Sequence, residues 1–172
     1  IARVTCRVWV GLAVALAAAS PAPAAERSVP AGGDLQTAVA EAAEGDVLVL
    51  RPGIHAGPVR LDKRITLQGM PGAVVEGNST GSVVTIQAAG TVVSGLEVRG
   101  SGRDLQAMDA GIFIERTATR SVIEANRLEN NLYGVYLHGA VGSEVRHNLI
   151  TGLRDVRTAE AGNGISVWNA PD

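Results

Sequence analysis

Cysteine is all but missing from this chain, with Cys6 the only one. It lies within a stretch that reads as a removable leader, so the rest has no disulfide, no thiolate metal site and no cysteine nucleophile. Aromatic side chains are nearly as rare, at 3% of residues, too few to build a core from large rings. Basic residues form no run or stripe. Without Arg3 and Arg7, the 15 basic residues become 13 against 17 acidic ones, a formal charge of −4. Nucleic acid is therefore excluded as a partner class. The longest apolar stretch, Val8 to Ala19, falls well short of the ~20 residues that span a bilayer. There is no phosphate-binding loop, no Ser-His-Asp arrangement, no tight aspartate cluster and no Asp-Pro-His segment.

What is present begins with that leader. Arg3 and Arg7 precede the apolar stretch, and Ala22-Pro23-Ala24 follows it, the layout of a secretory signal peptide over residues 1–24. Export to the periplasm is the expectation, with no transmembrane span in the mature chain. Residues 25–45 read as a cap segment. Within it, Asp34 is a good N-cap, apolar residues recur at 35, 38, 39 and 42, and Gly45 ends the helix. Residues 46–172 change character, with short alternating apolar runs divided by some of the chain's 21 glycines.

Those runs repeat. Gly111-Ile112-Phe113-Ile114-Glu115 matches Gly134-Val135-Tyr136-Leu137-His138, and the Val122 to Leu128 run matches Glu144 to Ile150. The segments are too short for helices, and period-two alternation signals strands. A period in the low twenties made of short strands predicts a solenoid, and leucine-rich-repeat spacing is absent. The fold class expected is all-β: a right-handed parallel β-helix with an N-terminal capping helix, truncated at the C-terminus because nothing closes the last coil. One strand position runs through Val59, Val84, Ile112, Val135 and Ile165, and a second through Ile65, Val93, Ile123 and Val145. Asn126 and Asn148 occupy equivalent corners, where asparagine can bond neighbouring backbones and adopt the left-handed conformation.

Two loops break the period and share a pattern. Arg103-Asp104 followed by Asp109-Ala110-Gly111 matches Arg154-Asp155 followed by Glu160-Ala161-Gly162. Both precede the same strand position, two coils apart, and insertions on one face of a solenoid often form its binding face. Either they flank a docking site or each arginine simply pairs with its local aspartate. Alternation also sends Phe113 and Tyr136 outward, beside Glu115, His138 and Trp168. Such a ledge suits a sugar ring, a docking protein or plain ladder stacking. His55, His138, His147, Met70 and Met108 lie far apart in sequence, so no residue is assigned as a metal ligand.

The helix followed by GDVLVLRPGIHAGPVRLDKRITLQG, then TVVSGLEVRGSG, MDAGIFIE and IEANRLENNLYGVYL, resembles the NosD family. These are periplasmic β-helix proteins that assist maturation of nitrous oxide reductase. The resemblance implies a non-enzymatic accessory protein in a pathway that supplies copper to the reductase's copper-sulfide centre. Its implied partners are an ABC transporter, the reductase and a copper chaperone. It implies no cofactor held by named residues, with copper entering only through the pathway. A polysaccharide-binding or polysaccharide-modifying β-helix protein, of lyase or epimerase type, is the alternative.

Overall fold

The computed structural model describes residues 24–154, 156–157 and 160–170; the leader predicted over 1–24 lies almost wholly outside them. Among the described residues, sixteen short strands wind into a right-handed parallel solenoid of about six coils with three sheets. The first sheet stacks β1 (Glu26–Val29), β2 (Val47–Leu50), β5 (Thr66–Gly69), β8 (Val92–Ser94), β11 (Val122–Glu124) and β14 (Glu144–Arg146). The second stacks β3 (Gly53–Ala56), β6 (Ala73–Glu76), β9 (Glu97–Arg99), β12 (Arg127–Asn131) and β15 (Leu149–Gly152). The third stacks β4 (Val59–Leu61), β7 (Val84–Ile86), β10 (Ala110–Ile114), β13 (Tyr133–His138) and β16 (Ile165–Trp168). Every pairing is parallel, and the register aligns Val84, Ile112, Val135 and Ile165 in one column.

Two of these sheets are the strand positions expected from the sequence. The second sheet is not, and its geometry explains why. β6, β9 and β12 place little inside the solenoid beyond Val75, Val98 and Leu128, and one or two apolar residues per strand display no alternation. It follows the first sheet after a single corner residue pair, so Arg127-Leu128-Glu129 reads as the tail of the strand before it. β1 is a second addition, because the segment expected only to cap the solenoid also contributes the first strand of a sheet.

The core is a stack of small and branched side chains, among them Leu48, Leu67, Val93 and Ile123 from the first sheet and Leu61, Ile86, Ile114 and Val135 from the third. Burial of each such side chain contributes about 1.5–3 kcal/mol. Helix α1 (Leu35–Glu41) closes the N-terminal end. Asp34 caps it by accepting from the Thr37 N–H at 3.1 Å, and Leu35 and Val39 enter the core. At its other end Lys63 Nζ donates to the carbonyls of Val39, Ala40 and Ala42, satisfying acceptors that a helix C-terminus leaves open. Gln36 does something further. Its amide donates to the Arg60 carbonyl and accepts from the Arg60 N–H, at 3.2 and 2.8 Å, standing in for a peptide unit on the open edge of β4.

The corners are held by polar ladders. Asn126 Oδ1 accepts from the Leu96 N–H at 3.0 Å and its Nδ2 donates to the Val93 carbonyl at 2.9 Å. Asn148 repeats this one coil on, accepting from the Asn126 N–H and donating to the Ile123 carbonyl. The left-handed residue, however, is the one before each asparagine: Ala125 and His147 carry the positive φ, at 54° and 55°, as Gly95 does at 68° before Leu96 in the preceding coil. Asparagine here serves as a hydrogen-bonding spacer, and its predecessor takes the turn.

Candidate functional site: an aromatic ledge beside a fastened loop

The outer face of the third sheet carries the ledge. Parallel register sets Arg60, Thr85, Phe113, Tyr136 and Ser166 in one column, with His138 opposite Trp168 beside it. The rings of Phe113 and Tyr136 stack with centroids 5.4 Å apart and planes parallel. Tyr133 meets Tyr136 edge-on at 5.3 Å, and His138 lies edge-on to both stacked rings. Tyr136 is only 7% exposed, which corrects the expectation of two solvent-facing rings. Because the two rings spend their faces on each other along the solenoid axis, they present edges outward. A sugar-binding platform needs a free face, so this stack is not built as one. Trp168, on the last described strand of this sheet, is 63% exposed.

Glu115 and His138 lie at the same level and line a shallow depression of about 280 Å³ with Phe113 and Arg116. The Glu115 carboxylate is already engaged. Gln87 Nε2 donates to it at 2.8 Å, and Arg60 approaches to 3.9 Å. It is a tethered group at the edge of the ledge rather than a free base. Among the described residues, no group of three His, Cys, Asp or Glu is gathered to hold a metal ion.

The loop before β10 is organised by its carboxylates. Asp104 Oδ1 accepts from the N–H groups of Gln106 and Ala107, and Asp109 Oδ2 accepts from the Asp104 N–H at 3.0 Å. Asp109 is buried, and its carbonyl takes the Tyr133 N–H, so it ties the loop to the next coil. Arg103 points to solvent, and among the described residues neither it nor Arg154 is in an ion pair. The reading of an arginine paired to its own aspartate fails for this loop; backbone N–H groups take the acid instead. In the second loop Arg154 and Glu160 are exposed and Asp155 lies outside the described residues. Its far end turns where the Glu160 and Ala161 N–H groups donate to the Arg157 carbonyl.

The family model for the right-handed β-helix region matches residues 70–172. The chain belongs to the right-handed β-helix family. It is similar to a probable ABC transporter binding protein NosD of Pseudomonas aeruginosa, 36% identical over 123 residues, which are 72% of this chain and 29% of the relative. A protein of the same name from Stutzerimonas stutzeri is 34% identical over 119 residues, 69% of this chain and 27% of the relative. The chain is thus a NosD-like β-helix protein, and the match spans under a third of either relative's length. No solved structure gives a significant match.

Within this NosD-like β-helix, sequence reasoning missed the residue that anchors the first loop. Asn131 is buried; its Oδ1 accepts from the Ser101 N–H at 3.1 Å and its Nδ2 donates to the Val98 carbonyl at 2.9 Å. Ser101 Oγ in turn accepts from the Leu132 N–H. The loop therefore leaves the solenoid from a rigid base. The signal was present in Asn130-Asn131, where Asn130 has a φ of 52° and repeats the turn-then-asparagine order of Ala125-Asn126. A Ser/Thr column at the remaining corner, Thr91, Ser121 and Ser143, also went unread; its hydroxyls bond the Ala88 and Ala118 carbonyls.

Proposed function

We propose that this chain belongs to an exported accessory protein that works with an ABC transporter in maturing nitrous oxide reductase, by docking rather than by catalysis. The likeness to two proteins named probable ABC transporter binding protein NosD supports the transporter association. The reductase, its copper-sulfide centre and a copper chaperone enter through the family resemblance of the sequence motifs. The apolar run after two arginines supports the periplasm as the compartment, and no described helix is long and apolar enough to cross a membrane.

The docking surface in this reading is the third-sheet face: Arg103 and Asp104 on one loop, Arg154 and Glu160 on the other, and Phe113, Glu115, His138 and Trp168 on the ledge, with the buried Asp109 and Tyr136 supporting it from beneath. The backbone of the first loop is already held by its carboxylates, which reduces the ordering cost of binding there, and arginine and tryptophan are among the side chains that most often anchor interfaces. Replacing Arg103 and Arg154 with alanine is expected to weaken capture of the transporter while leaving the melting temperature in place. Unchanged capture removes the loops from the docking surface. The wider role is tested by the copper content of nitrous oxide reductase from cells lacking the full-length gene. Loss of catalytic-centre copper, restored by complementation, supports the role; fully loaded, active enzyme rejects it.

A further inference from the structure

The corner between β6 and β7 carries a feature outside the ledge and its loops. Asn78-Ser79-Thr80 is the one place in the chain where an asparagine is followed two residues later by serine or threonine. That spacing is the acceptor pattern for N-linked glycans, meaningful only where the segment is a surface loop. All three residues are exposed here. Thr80 donates to the Asn78 carboxamide oxygen twice, from its hydroxyl at 2.6 Å and from its backbone N–H at 3.2 Å.

These bonds use only the oxygen. Asn78 Nδ2 donates to no described group and is left open. The loop is fastened behind the motif: Ser79 N–H donates to the Gly100 carbonyl and Gly102 N–H to the Gly81 carbonyl. With Ser79 in the left-handed region, at a φ of 64°, the turn is closed before any enzyme arrives. Glu76, two residues upstream, is half-exposed, and its carboxylate accepts from Arg99 Nε at 2.9 Å. The other asparagines differ. Asn126 and Asn131 are buried in corner ladders, and Asn163 and Asn169 are exposed but lack the hydroxyl.

We propose that Asn78 is an acceptor site for an N-linked glycan delivered from a polyprenyl-diphosphate oligosaccharide. Asn78 Nδ2 bonds to the anomeric carbon of the first sugar as that carbon's bond to the diphosphate oxygen breaks. The lipid diphosphate leaves with the electron pair, and one amide proton passes to a base of the transferase. No redox partner is required, and the proposal is independent of the docking role.

The test incubates the folded full chain with a purified single-subunit bacterial oligosaccharyltransferase and a polyprenyl-diphosphate oligosaccharide, and reads intact mass. One glycan per chain is expected, on the peptide containing Asn78. Asn78→Gln and Thr80→Ala should abolish the mass gain and Thr80→Ser should retain it, with circular dichroism showing each variant folded. No gain while a control sequon peptide in the same tube is consumed overturns the proposal. So does a glycan that persists in Asn78→Gln, or one added only after the chain is unfolded.

Discussion

Replacing Asn126 with alanine should be among the most damaging polar substitutions in this solenoid. Its side chain is 2% exposed; it accepts the Leu96 N–H across the coil boundary and adds a bond to the Val93 carbonyl, which also faces β11 in the parallel ladder. Alanine leaves the Leu96 N–H in the interior without a partner and strips the added bond from Val93. An orphaned buried group costs about 1–3 kcal/mol, so roughly 2 kcal/mol is the expected loss, a substantial share of the roughly 5–15 kcal/mol that a domain typically has. Asn148 makes the same kind of bonds one coil on but is only half-buried, so water can replace it and alanine there should cost about 1 kcal/mol. Urea unfolding followed by far-UV circular dichroism measures both. Because repeat arrays lose cooperativity coil by coil, hydrogen exchange of the Leu96 amide supplies a local reading, and it should accelerate in Asn126→Ala alone. Equal losses for the two variants, or an unchanged Leu96 exchange rate, would refute the claim that buried asparagine ladders hold the corners.

Three further outcomes follow from the same geometry. Ala125 sits at a φ of 54°, so Ala125→Gly should stabilise the chain by about 1 kcal/mol by relieving left-handed strain, read as a higher urea midpoint. Asp46 accepts from the N–H groups of Ala25 and Ala43 and from Arg27, which hold its carboxyl below the usual carboxylate range, the backbone bonds foremost. A carboxyl depressed in the folded state stabilises above its unfolded value, near pH ~3.9, and that stability is lost as pH falls through the lower folded value. Asp46→Asn should therefore flatten the acid limb of the stability profile below pH ~4, in thermal melts taken across that range. Gln36→Ala strips the surrogate peptide from β4, and increased self-association by light scattering, with the helix retained, is the expected signature of the uncovered edge.

How far the sequence reveals this molecule depends on how many inward residues each strand carries. β4, β7, β10 and β13 each place two branched side chains inside, enough for alternation to show and for the third sheet and its outward column to be read with correct register. The second sheet was hidden because its inward side chains come mostly one at a time. The capping helix was legible because Asp34 and the spacing of Leu35, Val39 and Ala42 are local signals. The ledge was only half legible. Which residues face outward follows from alternation, whereas the parallel stacking that buries Tyr136 depends on where the next coil's ring lands. Asp109 was found as a loop residue but not as a buried anchor, since its partners are backbone groups that no residue pattern names.

The placement of the rings decides what optical experiments can see. Beyond Trp9, every Phe, Tyr and Trp of the chain lies on β10, β13 or β16. Near-ultraviolet dichroism and fluorescence therefore report on three adjoining coils and are silent about the helix, the first sheet's opening strands and the Asp46 cluster. Far-ultraviolet dichroism averages over all of them. If the N-terminal end loosens first, the two signals will separate along a denaturation curve, and the spacing between them will measure how the solenoid frays from one end.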